Sequence, residues 1–354
     1  MLILAINPGS TSTKIASFQA EQCLWKVVIN HPDHDLRAFD KISDQYRYRM
    51  DAILTTLQEK GCRLDEFSAI VGRGGLLKPL SGGTYLVDEY LVNESHNAPG
   101  GEHASNLGAI IAYHLARRVK IPAYIVDPVS VDEMEPVARL SGHPELPRIS
   151  LSHALNMKAV ARKVAKDLGK TYQEVNLVVA HLGGGISVAS HRRGKMIDVN
   201  NANNEGPFSP ERSGTLPSAQ LVKLCYSGKY TEKELLTSIL KEGGLYAYLG
   251  TRDTREAERR MNNSDPQARL VLEAMCYQVA KEIGAMSAVL MGEVDRIVLT
   301  GGLAYSEFIT GEITRRVAFI APVVVVPGEE EMESLALGAL RVLRGEEKAL
   351  TYNK

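Results

Sequence analysis

Cysteine is scarce in this 354-residue chain: Cys23, Cys62, Cys225 and Cys276 are far apart and form no CxxC pair. Four such residues are too few for a disulfide scaffold and wrongly spaced for a thiolate-held metal, so the expected compartment is the cytoplasm. An excess of one charge is missing as well, since 41 Lys plus Arg stand against 42 Asp plus Glu, a net charge of -1. Balanced, interspersed charge offers no attractive face to nucleic acid or an anionic membrane, which leaves small polar ligands. Long apolar runs are absent: the longest, such as 121–126 and 322–326, fall far short of the ~20 residues a membrane span needs. The opening Leu2–Ile6 is apolar, but no basic region precedes it and Asn, Pro and Gly follow, so it reads as a strand and not as a secretion signal.

What is present is 44% hydrophobic residue content in a length that suits two domains, each able to bury its own core. Strand-like and helix-like periodicities alternate throughout, the pattern of an α/β architecture. Leu2–Ile6 and Lys14–Phe18 read as a hairpin, 24–29 as a third strand, 44–59 as a helix stopped at Gly61, and 68–71 and 123–127 as buried strands flanking a helical stretch at 102–119. A second half begins near Arg148. There Ser152 is the expected N-cap of a helix over 153–168, followed by strands at 176–180, 186–190 and 195–199. Helices are expected at 218–226, at 231–241 with a Thr231/Glu234 capping box, at 253–261, 267–291, 307–319 and 330–344, with strands at 296–300 and 323–326. The expected domains are 1–147 with 333–354, and 148–332.

An internal echo is the most informative feature. Ala5-Ile-Asn-Pro-Gly9 leading to Lys14-Ile-Ala-Ser17 resembles Ala180-His-Leu-Gly-Gly184 leading to Ser187-Val-Ala-Ser190. Each copy is a strand, a turn of small residues and a second strand, and such turns make concave nests of backbone N–H groups for anions. One glycine turn is usually only a turn. A pair suggests two grips on a polyphosphate.

The paired turns, with Thr300-Gly-Gly302, resemble the actin, sugar-kinase and heat-shock ATPase superfamily. Eight collinear blocks narrow the likeness: NPGSTSTK (7–14), GRGG (72–75), HNAPGGEHASNLGA (96–109), DPVSVDEM (127–134), SHALNMKA (152–159), HLGGGIS (181–187), ERSGTLP (211–217) and TGG (300–302). With these the chain resembles the acetate and butyrate kinases, the butyrate kinases most closely. The resemblance implies a two-domain actin-like ATPase fold with a duplicated ribonuclease-H-like core. It implies ATP/ADP and Mg2+, a short-chain carboxylic acid as the second substrate, and a homo-oligomer; closure of the two halves is expected from the duplicated architecture and the need to exclude water from the phosphoryl. Residue by residue, it implies Asn7, Ser10 and Lys14 at the first phosphate turn, Gly183, Gly184 and Gly185 at the second, and Gly301 and Gly302 near the nucleoside. Arg73 and Arg212 would clamp acyl and phosphoryl oxygens, His153 would contact the transferring phosphoryl, and His96 would be a further site histidine. Asp127 and Glu333 would place the metal, with Glu329, Glu330 and Glu331 close enough in sequence to share that claim. Gly184 stands where acetate kinases carry Asn, so backbone donors must serve there. Gly75 and Ser152 stand where acetate kinases carry Val and Phe, which implies a roomier slot favouring butyrate or isobutyrate over acetate at ~0.8 kcal/mol per buried methylene.

The chemistry fits these residue types. Phosphoryl transfer asks for charge neutralisation and in-line positioning, tasks for arginine forks, a metal and amide nests. A fatty acid, with a pKa of about 4 to 5, is already an anion at neutral pH and needs no general base. A sugar kinase must activate a hydroxyl, and Asp127 is where the two readings part. His153, expected in a first helical turn, would donate to phosphate rather than carry permanent charge. Without the resemblance, plainer roles stand beside these: ion pairs for Arg73 and Arg212, local packing for His153, a loop position bonded to backbone for His96, a strand end for Asp127, a brace for His181, and helix-end acids for 330–333. An acetate or propionate kinase, a sugar kinase of the same fold, or a nucleotide-binding module without turnover are the rival functions.

Overall fold

The computed structural model describes residues 1–352. Strand β1 (Leu2–Pro8) is buried along almost its whole length, as an unbroken aliphatic run requires of a central strand covered on both faces. It turns at residues 9–11 into the antiparallel β2 (Ser12–Gln19), placing Asn7 opposite Lys14, and β2 pairs with β3 (Gln22–Asn30), whose exposed and half-buried residues alternate over its last six positions as befits an edge strand. β4 (Ala69–Arg73) lies parallel to β1, β5 (Thr84–Leu86) is antiparallel to its neighbour β6 (Ala123–Val126), and β6 is parallel to β4.

The same plan recurs. β7 (Asn176–Leu182) turns into the antiparallel β8 (Ile186–Arg192), β8 pairs with β9 (Lys195–Val199), and β10 (Arg296–Gly301) and β11 (Val323–Pro327) extend the other side in parallel. β12 (Leu350–Thr351) joins the first sheet beside β5. Among the described residues the sheets therefore run β12-β5-β6-β4-β1-β2-β3 and β11-β10-β7-β8-β9. Both contain one ordering, third–second–first–fourth–fifth, with the second strand antiparallel. The echo read in the sequence is a duplicated core.

Each repeat has its own aliphatic core, one around Leu4, Ile6, Ile70 and Ile110, the other around Val178, Leu272, Ile283 and Leu299. In the first, the helix Asn106–Val119 lies so close to β4 that a Cβ on Gly72 would strike the Gly108 carbonyl, and one on Gly108 would lie 2.8 Å from the Arg73 nitrogen. No helix among the described residues is long and apolar enough to cross a membrane.

The chain divides into two compact units, 1–131 together with the residues from Glu330 on, and Asp132–Glu329. The units meet at 131/132 and 329/330, where 147/148 and 332/333 were expected; the first limit differs because residues after Val131 are tied to the second sheet. Glu133 pairs with buried Lys158 at 2.6 Å and accepts from the Met196 N–H, while Glu135 pairs with Arg192 and takes a backbone bond from its own N–H to Ile197. Other element expectations are refined. The helix expected from 102 begins at Asn106, the one expected from 44 begins as a 3-10 turn at Ile42, and the helix Glu89–Asn97 and strands β5 and β12 were not anticipated. Ser152 is not an N-cap: the helix runs Ala154–Asp167, His153 holds the cap position without a side-chain cap bond, and the Ser152 hydroxyl contacts Met196 Sδ at 3.9 Å.

His31 directly follows β3, its Nε2 sharing a 2.8 Å hydrogen bond with Thr13 Oγ1. Burial, with the Arg49 guanidinium nearby, lowers its pKa to about 4. Between that value and the ordinary 6.5 the unfolded chain binds more protons than the folded one, so stability contributed above pH 6.5 is lost as pH falls toward 4, by up to ~3 kcal/mol. The wild-type Tm should therefore fall more steeply from pH 6.5 to 4.5 than that of His31→Gln; parallel slopes would refute the assignment.

Candidate active site

Parallel strands bring their carboxyl ends to one edge of a sheet, where α/β folds place ligands. In the first unit that edge carries Asn7 from β1, Arg73 from β4 and Asp127 just after β6. One carboxylate joins two of them: Glu331 accepts from Asn7 Nδ2 at 2.5 Å through Oε2 and pairs with Arg73 Nη1 at 2.7 Å through Oε1. Glu331 opens the helix Glu331–Leu343. Of the four glutamates between 329 and 333 it is the one tied to Asn7 and Arg73, a distinction that spacing alone left open. Arg73 is thus in an ion pair, as its plainer reading held, though with a partner at the candidate site.

Asp127 is buried, adopts φ +37°, and exchanges backbone and side-chain bonds with Gly83: its Oδ1 accepts the Gly83 N–H at 2.7 Å and its own N–H donates to the Gly83 carbonyl. Lys14 is exposed on β2 and Ser10 is exposed in the turn. His96 sits in the last turn of the helix Glu89–Asn97, not in a loop, and meets the Tyr46 ring edge-on at 5.6 Å. The histidine that senses Arg73 is His103, whose pKa is held below the usual imidazole value by desolvation and by that guanidinium, and whose Nδ1 shares a 2.7 Å bond with Ser105 Oγ. Both histidines lie in one sequence block, and nothing in the block ranks them.

The space argument for Gly75 needs correction. A Cβ there would run into the Asn106 side chain and lie 2.6 Å from its Cα, and Asn106 Oδ1 accepts the Leu76 N–H at 2.8 Å. The missing side chain makes room for the neighbouring helix, and Ser152 is buried against Met196.

In the second unit the ring of His153 stacks on His181, centroids 3.9 Å apart and planes 11° from parallel, and its Nδ1 shares a 3.0 Å bond with Ser187 Oγ. His153 therefore stands before the helix rather than within its first turn. His181, fully enclosed near the end of β7, shares a 2.8 Å hydrogen bond between Nδ1 and Asn156 Oδ1, while Glu329 Oε1 lies 3.0 Å from Nε2 without hydrogen-bond geometry. Of the second turn, Gly183 and Gly185 are buried and Gly184 is exposed. The Gly184 carbonyl is taken by Ser209 Oγ at 2.5 Å, and the Arg212 guanidinium lies where a Gly185 side chain would project. Burial lowers the Arg212 pKa, and among the described residues no carboxylate lies within ion-pair distance of it. Glu211 brings negative charge to the same turn, its Oε1 3.1 Å from where a Gly184 Cβ would be. Gly301, at φ +92°, packs on the Leu182 backbone and bonds Gly328 in both directions, whereas Gly302 faces open space.

Residues 150–320 match the Acetokinase family. That span lies within the second unit. The whole chain is similar to solved structures: an acetate kinase of Porphyromonas gingivalis, 20% identical over 97% of this chain and 99% of that one, TM-score 0.79; a propionate kinase of Francisella tularensis subsp. tularensis SCHU S4, 20% identical over 95% and 98%, TM-score 0.74; and a ROK hexokinase of Thermus thermophilus, 17% identical over 98% and 99%, TM-score 0.50. These likenesses establish the fold: two sheets with helices in the actin-like ATPase arrangement, shared by enzymes with different acceptors.

Because position 75 is filled by Asn106, Gly75→Ala should cost about 2–3 kcal/mol of stability, read as a lower urea midpoint. An unchanged midpoint with preference moved toward a shorter acid would restore the roomy-slot explanation.

Proposed function

We propose that the chain is an ATP-dependent carboxylate kinase, moving a phosphoryl group reversibly between ATP and a short-chain fatty acid to give an acyl phosphate and ADP. The observation that carries this is Arg212: a partly buried guanidinium laid across an exposed glycine turn, with no carboxylate within ion-pair distance among the described residues and only the longer-range attraction of Glu211. A partly desolvated cation of this kind calls for an anion, and planar nitrogens suit phosphoryl oxygens. The Acetokinase match over the same segment supports the assignment.

Within the second unit, phosphoryl oxygens would be taken by the backbone donors of 183–185, by the Arg212 fork and by His153, whose ring is fixed in one orientation by His181 and Ser187. Within the first unit, the turn after β1 would take phosphate and Arg73 the acid carboxylate, with Glu331 aligning Arg73 and Asn7. Glu331 holds Nη1 of Arg73, which leaves the other guanidinium N–H groups to take the acid anion. The acid needs no deprotonation, so orientation and charge neutralisation account for the catalysis.

The first unit offers carboxylate oxygens, the donors magnesium takes, but no cluster of three or more metal-binding side chains occurs among the described residues. Such a donor set suits a magnesium that draws its other ligands from phosphates and water. Asp127 and Glu333 would hold it, and it would offset phosphate charge. For the acid we take butyrate or isobutyrate, now on the resemblance of the eight motif blocks alone.

With ATP, magnesium and hydroxylamine, the protein should trap acyl hydroxamates, with kcat/KM rising from acetate to butyrate or isobutyrate. A higher value for acetate or propionate would overturn the four-carbon assignment, and phosphorylation of a sugar without hydroxamate would overturn the carboxylate reading. Arg212→Ala should lower kcat by about a hundredfold or more; near-normal turnover sinks its role. Glu331→Gln should lower kcat/KM for the acid by about tenfold through misaligned Arg73, with the melting temperature little changed; an unaltered value would detach Glu331 from the site.

A further inference from the structure

Arg49 was not singled out by any motif, yet it is fully buried beneath the first glycine turn. It comes from the helix Tyr46–Glu59 and donates to three turn carbonyls: Gly9 at 2.7 Å and Ser12 at 3.1 Å through Nη1, and Ser10 at 2.9 Å through Nη2. Gln45 Oε1 fixes the other side of the fork at 3.1 and 2.8 Å, and Thr13 Oγ1 is 3.3 Å from Nη1. No carboxylate is among these partners. Burial lowers its pKa only to about 10, so it stays charged at neutral pH.

A trans planar peptide points its N–H opposite its C=O. The Gly9 carbonyl shares its peptide unit with the Ser10 N–H, and the Ser10 carbonyl with the Thr11 N–H. Fastening both carbonyls inward turns two consecutive N–H groups outward, where no protein acceptor takes them among the described residues. Ser10 and Thr11 also line a cavity of about 360 Å³ within the first unit, whose walls include Arg37 and His103, the acids Asp33 and Glu102, and Gln45 and Arg49 themselves. Two adjacent outward amides above a buried cation form an anion nest with its counter-charge built in.

We propose that Arg49 is the positioning residue of the first phosphate turn, setting the Ser10 and Thr11 amides as a fixed pair of donors to a nucleotide phosphate. The role rests on the nucleotide reading above. It needs an arginine, because a lysine ammonium cannot reach three carbonyls in one plane while also bonding Gln45.

The test compares wild type with Arg49→Lys and Gln45→Ala, with Arg49→Met as the extreme case. Arg49→Lys should weaken MgADP binding in calorimetry about tenfold or more, raise the nucleotide KM in step, leave the acid KM within about twofold, and shift Tm by only a few degrees. Amide hydrogen exchange in the ligand-free protein should quicken at residues 9–13 and not elsewhere, and Gln45→Ala should do the same more weakly. MgADP bound as tightly by Arg49→Lys as by wild type, or nucleotide and acid KM rising together as Tm falls, would overturn the proposal. If Arg49→Met does not fold, the two milder variants decide. A wild type that binds MgADP but forms no hydroxamate removes the carboxylate reading and leaves Arg49 in place. A wild type that binds no MgADP removes the nucleotide reading, while unchanged exchange at 9–13 in Arg49→Lys removes the positioning claim.

Discussion

A peptide group cannot present both its poles to the same side, and the two glycine turns are built on that constraint. Anything that binds a turn carbonyl from within commits the adjoining N–H to the outside. In the first unit Arg49 takes three carbonyls; in the second Ser209 takes that of Gly184. The two repeats share strand order and hairpin but solve the anchoring differently, one with a buried charge and one with a hydroxyl. The charged solution leaves positive potential beneath its turn. In the second unit positive charge comes from Arg212 at the turn itself, with Glu211 close by.

Much of the architecture could be read from residue order. Unbroken aliphatic runs marked the central strands, and the similarity of Ala5–Ser17 to Ala180–Ser190 reported a true duplication, because both segments form the first hairpin of the same five-strand plan. Capping chemistry was legible where it is local: the Thr231/Glu234 box occurs as expected, with Thr231 accepting from the Glu234 N–H. It failed at Ser152, where the hydroxyl turns toward a methionine on β9 and the helix starts two residues later. That preference is set by packing across the sheet, which no local pattern records.

The site was legible in its glycines and arginines and obscure in their partners. Glu331 meets Asn7 across 324 positions of sequence, and Arg49 meets Gly9 across 40. Such pairings depend on which helix face is turned inward, and a run of four candidate acids carries no hint of which one that is. His96 was named from the resemblance alone, and the tertiary structure sets His96 against Tyr46 and His103 in the field of Arg73. Gly75 shows the converse hazard. A small residue read as space offered to a ligand proves to be space already used by Asn106.

The first unit is discontinuous in sequence, whereas Asp132–Glu329 is one uninterrupted stretch. During synthesis from the amino end, β1, β4 and β6 emerge early, but the helix that carries Glu331 to Asn7 and Arg73 is made only after the whole intervening segment. The contiguous segment can condense as soon as its own last strand leaves the ribosome; the split one must wait with an unmatched arginine and an uncovered sheet. The first glycine turn thus belongs to the unit whose parts are separated by nearly two hundred residues of intervening chain, so its supporting helix is synthesised long after it.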